Sequence, residues 1–158
     1  MASWSEFSAA APDLAEKARL RFEAHRHKTL ATLRKDGSPR ISGIEASVEE
    51  GELWLGMMDG SLKALDLRRD PRLALHSGSV DPPDEASTWE GDAKIAGRAV
   101  EVNDDATKRS ISGESPGPFH LFRVDITEVV VVRVGDPPDH LVIDSWREGL
   151  GRRHVERR

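Results

Sequence analysis

The chain has 158 residues, enough for one compact domain and too few for separate cofactor and substrate lobes. Its 28 acidic and 23 basic residues give a net charge of -5 and a pI near 5.7, which speaks against a dedicated nucleic-acid binder. The absence of cysteine excludes disulfides, thiolate metal sites and cysteine nucleophiles.

Apolar residues make up 37% and mean hydropathy is -0.52, a lean core that is expected to fold with help from a partner subunit. With no 18-residue apolar run and no charged-then-apolar leader, neither a membrane span nor a signal peptide is expected, and a cytoplasmic location is the default. Charge is unevenly placed. Asp81, Asp84, Glu85, Glu90 and Asp92 share a stretch without Lys or Arg, whereas residues 151–158 carry four Arg against one Glu.

Residues 1–11 read as a flexible N-terminal arm, and residues 12–158 as a single domain. Pro12 and Asp13 open a helix with Asp13 and Glu16 as a capping box and Leu14, Ala18 and Phe22 on one face, ending near His25 to Lys28. From Thr29 the period falls to two. Residues 29–33 and 39–48 read as strands around an Asp36-Gly37 turn, and a turn at Glu49, Glu50 and Gly51 leads to a third strand, residues 52–58. Asp59 or Ser61 then caps a short helix with Leu62 and Leu65 inward, stopped by Asp70-Pro71. A fourth strand at 72–77 precedes a long acidic loop, residues 78–92, and a fifth strand at 92–102 follows. Asn103 caps another short helix, and residues 112–118 form a turn-rich loop. The β-branched run 120–134 is one bent strand or two, and residues 140–146 form a last strand. Six or seven strands with two or three short helices imply a mainly β fold, an antiparallel barrel with helices at its rim.

Familiar catalytic motifs are missing. The six histidines show no HExxH, and the His25/His27 pair reads as a solvated helix end, so no metal is expected. There is no GxSxG, no GxxxxGK[ST] and no GxGxxG. The positive signal is residues 59–63, DGSLK. A helix start there offers free N–H groups and the positive end of the helix dipole, to which Ser61 adds a hydroxyl and Lys63 a charge. Arg40, at the head of the second strand, could give the same dianion a second contact.

The run from Thr29 to Ser77, with its D-G-x-P-R hairpin, small-residue turn with lysine and D-L-R-R-D-P-R segment, resembles the flavin-binding split-barrel superfamily of pyridoxamine 5'-phosphate oxidase. The likeness extends through residues 95–102 to the SWREGLGRR tail and is nearest to small relatives that use FMN or a deazaflavin coenzyme. It implies a homodimeric split barrel with cofactor sites at the subunit interface, and a flavin- or deazaflavin-dependent oxidoreductase acting on a small planar molecule. By the same likeness Arg40, Lys63 and Ser61 hold phosphate. Ile41, Ser42, Met57 and Met58 back the ring, and Trp146 and Arg147 reach the cofactor of the other chain. Trp146 also admits a simpler role as a core plug. Two departures stand out. Leu62 replaces a second basic residue common before the lysine, and the chain has no Tyr for the substrate pocket of a true pyridoxamine-phosphate oxidase. The alternative is a non-catalytic flavin or haem carrier, for which His76 or His120 would be the haem ligand.

Overall fold

The computed structural model describes residues 2–113 and 118–158. Within them lie eight strands: β1 (His27–Leu33), β2 (Pro39–Glu49), β3 (Glu52–Met58), β4 (Arg72–His76), β5 (Asp92–Glu101), β6 (Phe119–Val134), β7 (Leu141–Arg147) and β8 (Gly151–Arg157). Four helices accompany them: α1 (Trp4–Ala10), α2 (Pro12–Glu23), α3 (Leu62–Arg69) and α4 (Asp105–Ser112). All strand pairs are antiparallel in the order β3-β2-β1-β4-β5-β6-β7-β8, and an added β3–β6 pairing closes the first six into a barrel. Closure leaves those six strands without a free edge, while β7 and β8 extend outward from β6.

The long β6 makes both arrangements possible. Its first five residues pair with β3, and Glu128 to Val134 pair with β7. β5 pairs with its Phe122 to Val132, with a register shift at Ala96/Gly97. A Cβ at Gly97 would lie 2.4 Å from the Asp125 carbonyl oxygen, so only glycine permits this close approach at the bulge.

The expected hairpin is present: the Gly37 N–H bonds the Arg34 carbonyl, the Arg34 N–H bonds that of Ser38, and Gly37 has φ 85°. Several expectations need correction. The strand count is eight rather than six or seven, and the helix count four rather than two or three, among the described residues. The arginine-rich tail, to which no strand was assigned, forms β8 on β7, paired from Arg147↔Gly151 to Leu141↔Arg157. It carries no apolar alternation because almost every side chain in it is exposed, so its pairing leaves no hydrophobic trace. The loop expected over 112–118 falls largely outside the described residues.

Residues 2–11 do not behave as a loose arm. Ser3 and Glu6 form a capping box at the start of α1, with Glu6 N–H to Ser3 Oγ at 3.1 Å and Ser3 N–H to Glu6 Oε2 at 2.7 Å. Ala2 forms a bridge to Ile126, and Trp4 and Phe7 are buried. Phe7 stacks at 5.2 Å on Trp146, so α1 and β7 share one core. α2 has Ala11 at its N-cap with no side-chain cap, so the Asp13/Glu16 box does not form; Pro12 opens the helix instead. It ends at Glu23, before the basic run, because His27 already begins β1. Asp104, not Asn103, caps α4. On α3, Leu62 and Leu65 face outward while Ala64, Asp66 and Leu67 are buried.

Candidate functional site

β3 and α3 are joined by Asp59, Gly60 and Ser61, a turn in which Gly60 takes φ 71° and the Ser61 N–H bonds the Met58 carbonyl at 3.1 Å. The turn is pinned from β6. His120, buried, accepts the Gly60 N–H on Nε2 at 3.0 Å. A backbone N–H can only donate, so the His120 ring proton sits on Nδ1 and points to Glu101 Oε1 at 3.2 Å. Glu101 in turn takes two bonds from Arg68. One connected network thereby ties the turn before α3 to Arg68 in the last turn of that helix.

The α3 ladder begins with Ala64 N–H and Leu65 N–H on the Ser61 carbonyl, so the Leu62 and Lys63 amides lie ahead of it. The Ser61 hydroxyl is shielded and has no partner among the described residues. Lys63 crosses to β2 and donates from Nζ to the Gly43 carbonyl at 2.7 Å. Lys63, with Asp59, forms one end of a groove of about 1000 Å³ on the outer face of β2 and β3, walled also by Met58 and Phe119. Its floor is open at two positions, Gly43 on β2 and Gly56 on β3, where a Cβ would meet nothing within 4 Å, with Glu45 directly across from Gly56. The two glycines leave room for a planar group to approach the strand backbone.

Arg40 takes a different place. Its Nε donates to Asp66 Oδ2 at 2.7 Å, and the same carboxylate accepts from Thr32 Oγ1 at 2.8 Å and from Arg69 at 2.8 Å. Burial alone would raise the Asp66 carboxyl, but the bonds from Arg40, Thr32 and Arg69 outweigh it and hold it below the ordinary carboxylate range. Arg40 and Arg69 line a second groove of about 580 Å³ beside Leu62 and Leu65, on a side of α3 separate from Lys63.

Of the residues expected at the site, Met57, Met58 and Lys63 line the main groove, although Met57 is buried and directs most of its side chain into the core. Ile41 is exposed on the outward parity of β2 shared with Gly43, whereas Ser42 has the opposite, inward parity. Trp146 is spent inside its own chain against Phe7, in place of the expected reach to a partner's cofactor. Arg147, exposed, binds Glu128 with Nε at 2.9 Å. Both candidate haem ligands are constrained. His120 has both ring nitrogens engaged, and His76 gives its Nδ1 proton to the Ser77 carbonyl at 2.6 Å, with Nε2 3.8 Å from Asp92. No group of three metal-ligating side chains occurs among the described residues.

Three structural roles escaped the sequence reading. Asp66 organises Arg40 and Arg69, and its spacing to Arg69 at i+3 was a readable sign. His120 holds the turn across 60 residues of sequence, which no local pattern shows. Lys28 is buried on the inward parity of Leu30 and Thr32, a phase that β1 alternation does display.

The sequence profile of pyridoxamine 5'-phosphate oxidase matches residues 14–133, three quarters of the chain and all six barrel strands but the last residue of β6. The chain belongs to this family. Its fold is shared with PhzG from Burkholderia lata 383, solved in complex with tetrahydrophenazine-1-carboxylic acid, at 14% identity and TM-score 0.63 over 97% of this chain and 92% of that one. HutZ, the haem storage protein of Vibrio cholerae, is 16% identical with TM-score 0.54 over 77% and 94% of the two chains. General Stress Protein 26 from Bacillus anthracis str. Sterne is 19% identical with TM-score 0.55 over 72% and 89%. These likenesses establish the split barrel of the pyridoxamine 5'-phosphate oxidase family and nothing finer. Among curated protein sequences none matches the chain. No helix among the described residues is long and apolar enough to cross a membrane.

Proposed function

We propose that the outer groove of β2 and β3 is a flavin site and that the protein is an FMN-dependent oxidoreductase acting on a small planar molecule. The observation that carries this reading is the glycine floor, Gly43 and Gly56, ending at Lys63 and the first-turn amides of α3. A planar ring fits over the two glycine positions, and a phosphate fits an ammonium beside unpaired amides. With Leu62 where relatives carry a second cation, and Arg40 held by Asp66, Lys63 is the principal charge.

When bound, FMN supplies hydride transfer through its own ring system, so the chain needs no acid or base of its own for that step. The residues present bind and orient. Lys63 and the Leu62 and Lys63 amides hold the dianion, Gly43 and Gly56 admit the ring to the backbone, and Met58 and Phe119 exclude water from its edge. Ile41 and Met58 are 76% and 83% exposed on this face, an apolar surface that a second copy of the chain covers in a homodimer. A deazaflavin coenzyme is the other occupant of the same groove, and HutZ-like haem storage gains no support from His120, whose nitrogens are taken.

The test is titration of the purified protein with FMN and with a deazaflavin coenzyme, followed by fluorescence, for the wild type and Gly56→Val. Valine suits a strand and meets nothing in the fold, so the melting temperature stays near that of the wild type. Its side chain rises from the groove floor, and FMN affinity falls about tenfold or more. Unchanged FMN affinity in this variant removes the ring from the glycine floor.

A further inference from the structure

Away from Lys63 the groove ends at a second cation that the flavin site does not use. Lys28, although on the inward parity of β1, borders the groove at this far end with only 7% of its surface exposed. Its Nζ donates to the Arg26 carbonyl at 3.1 Å and the Ala46 carbonyl at 3.3 Å. No carboxylate forms an ion pair with it among the described residues. Two acids share this part of the wall. Glu45 is held by Arg26 Nε at 2.8 Å with His27 at 3.8 Å, and Glu49 is exposed to solvent, where its charge is screened.

A buried ammonium without a counter-ion is costly, and burial accordingly depresses the Lys28 amine below the usual lysine range, with distant Glu45 and Glu23 offsetting this in part. A methionine would fill the same volume without that cost. The placement therefore makes sense as a site for an anion that arrives from the groove. An ammonium has three N–H groups, and two are committed to carbonyls. One remains for a single oxygen of an incoming anion, and the phosphate of the proposed flavin is already placed at Lys63, which leaves a carboxylate as the group to be received here.

We propose that Lys28, with Arg26 and His27 at the rim, receives the carboxylate of the molecule on which the protein acts, so that its substrate class is the planar carboxylic acids. This rests on the flavin reading for the opposite end of the groove. The ring would lie over the glycine floor, and the substrate carboxylate would enter at the β1 end.

The experiment uses benzoate as probe and benzamide as its neutral isostere, titrated calorimetrically into wild type and Lys28→Met, each with and without saturating FMN. The pKa of the Lys28 amine is followed in parallel by NMR with 15N-labelled lysine. Benzoate is expected to bind the wild type about tenfold more tightly than benzamide, to raise the Lys28 pKa on binding, and to lose that advantage in Lys28→Met, while FMN affinity is unchanged. Equal binding of the two probes to the wild type, no saturable benzoate binding, or undiminished benzoate affinity in Lys28→Met overturns the assignment. FMN binding that persists beside any of these results leaves the flavin site standing. Lys28-dependent benzoate binding without FMN binding instead removes the flavin site and keeps the carboxylate site.

Discussion

Replacing Asp66 with alanine is expected to destabilise the fold by about 3 kcal/mol, the low end for removing one partner of a buried ion pair. The low end applies because Arg40 and Arg69 are 23% and 38% exposed and regain some water once the carboxylate is gone. Thr32, buried, loses its acceptor as well. For a chain of this size the loss corresponds to roughly 6–12 °C in melting temperature. The effect is pH-dependent, with a sign fixed by the direction of the shift. Asp66 is held below the ordinary range in the folded chain, so its contribution is complete above the unfolded value of about 3.9 and fades as pH falls through the lowered folded value. Thermal melts of wild type and Asp66→Ala should therefore differ fully at neutral pH and converge on acidification below about pH 4. A difference that persists unchanged into strong acid would show that the carboxylate charge is not what holds the two arginines.

Truncating Phe7 to alanine is expected to cost about 3–5 kcal/mol, the range for emptying a buried aromatic site. Phe7 is fully buried, meets Trp4 at 5.3 Å and Trp146 at 5.2 Å, and so joins α1 to β7 through a single aromatic cluster. Denaturant unfolding measures the loss, and amide exchange at residues 4–10 shows where it falls. If α1 were an appendage, the substitution would cost less than about 0.5 kcal/mol and those amides would exchange freely in the wild type.

Why α1 was unreadable follows from its composition. Seven residues, of which two are serines and two alanines, give almost no helical periodicity, and the decisive partner, Trp146, lies far along the chain. The capping box at Ser3 and Glu6 was nevertheless there to read, and the Asp13/Glu16 pair misled because Pro12 fixed the helix start one residue earlier. The strands were legible where one face is buried. β1 alternates cleanly, and the Asp36-Gly37 turn set the register of the hairpin that carries Gly43. β8 was not legible, because a strand exposed on both faces has no alternation to show.

At the site, the helix start and Lys63 could be taken from residues 59–63 alone, since caps and charges act locally. Arg40 was set beside Lys63 because the meander brings their strands together, but its partner is a buried carboxylate one turn into α3, and strand order says nothing about which side of that helix each cation occupies. The leucines of α3 were assigned inward on hydrophobicity, yet the buried position at the centre of that helix belongs to Asp66, where three hydrogen bonds compensate the charge. Long-range bonds such as His120 to Gly60 depend on barrel closure between β3 and β6 and have no local signature.

The phosphate assignment is tested most directly by comparing FMN with riboflavin, which shares the ring but lacks the dianion, in wild type and Lys63→Ala. Wild-type protein should bind FMN about tenfold or more tightly than riboflavin, and Lys63→Ala should abolish most of that preference while its riboflavin affinity and melting temperature stay unchanged. Equal affinity of the wild type for both flavins, or a preference that survives removal of the ammonium, would contradict it.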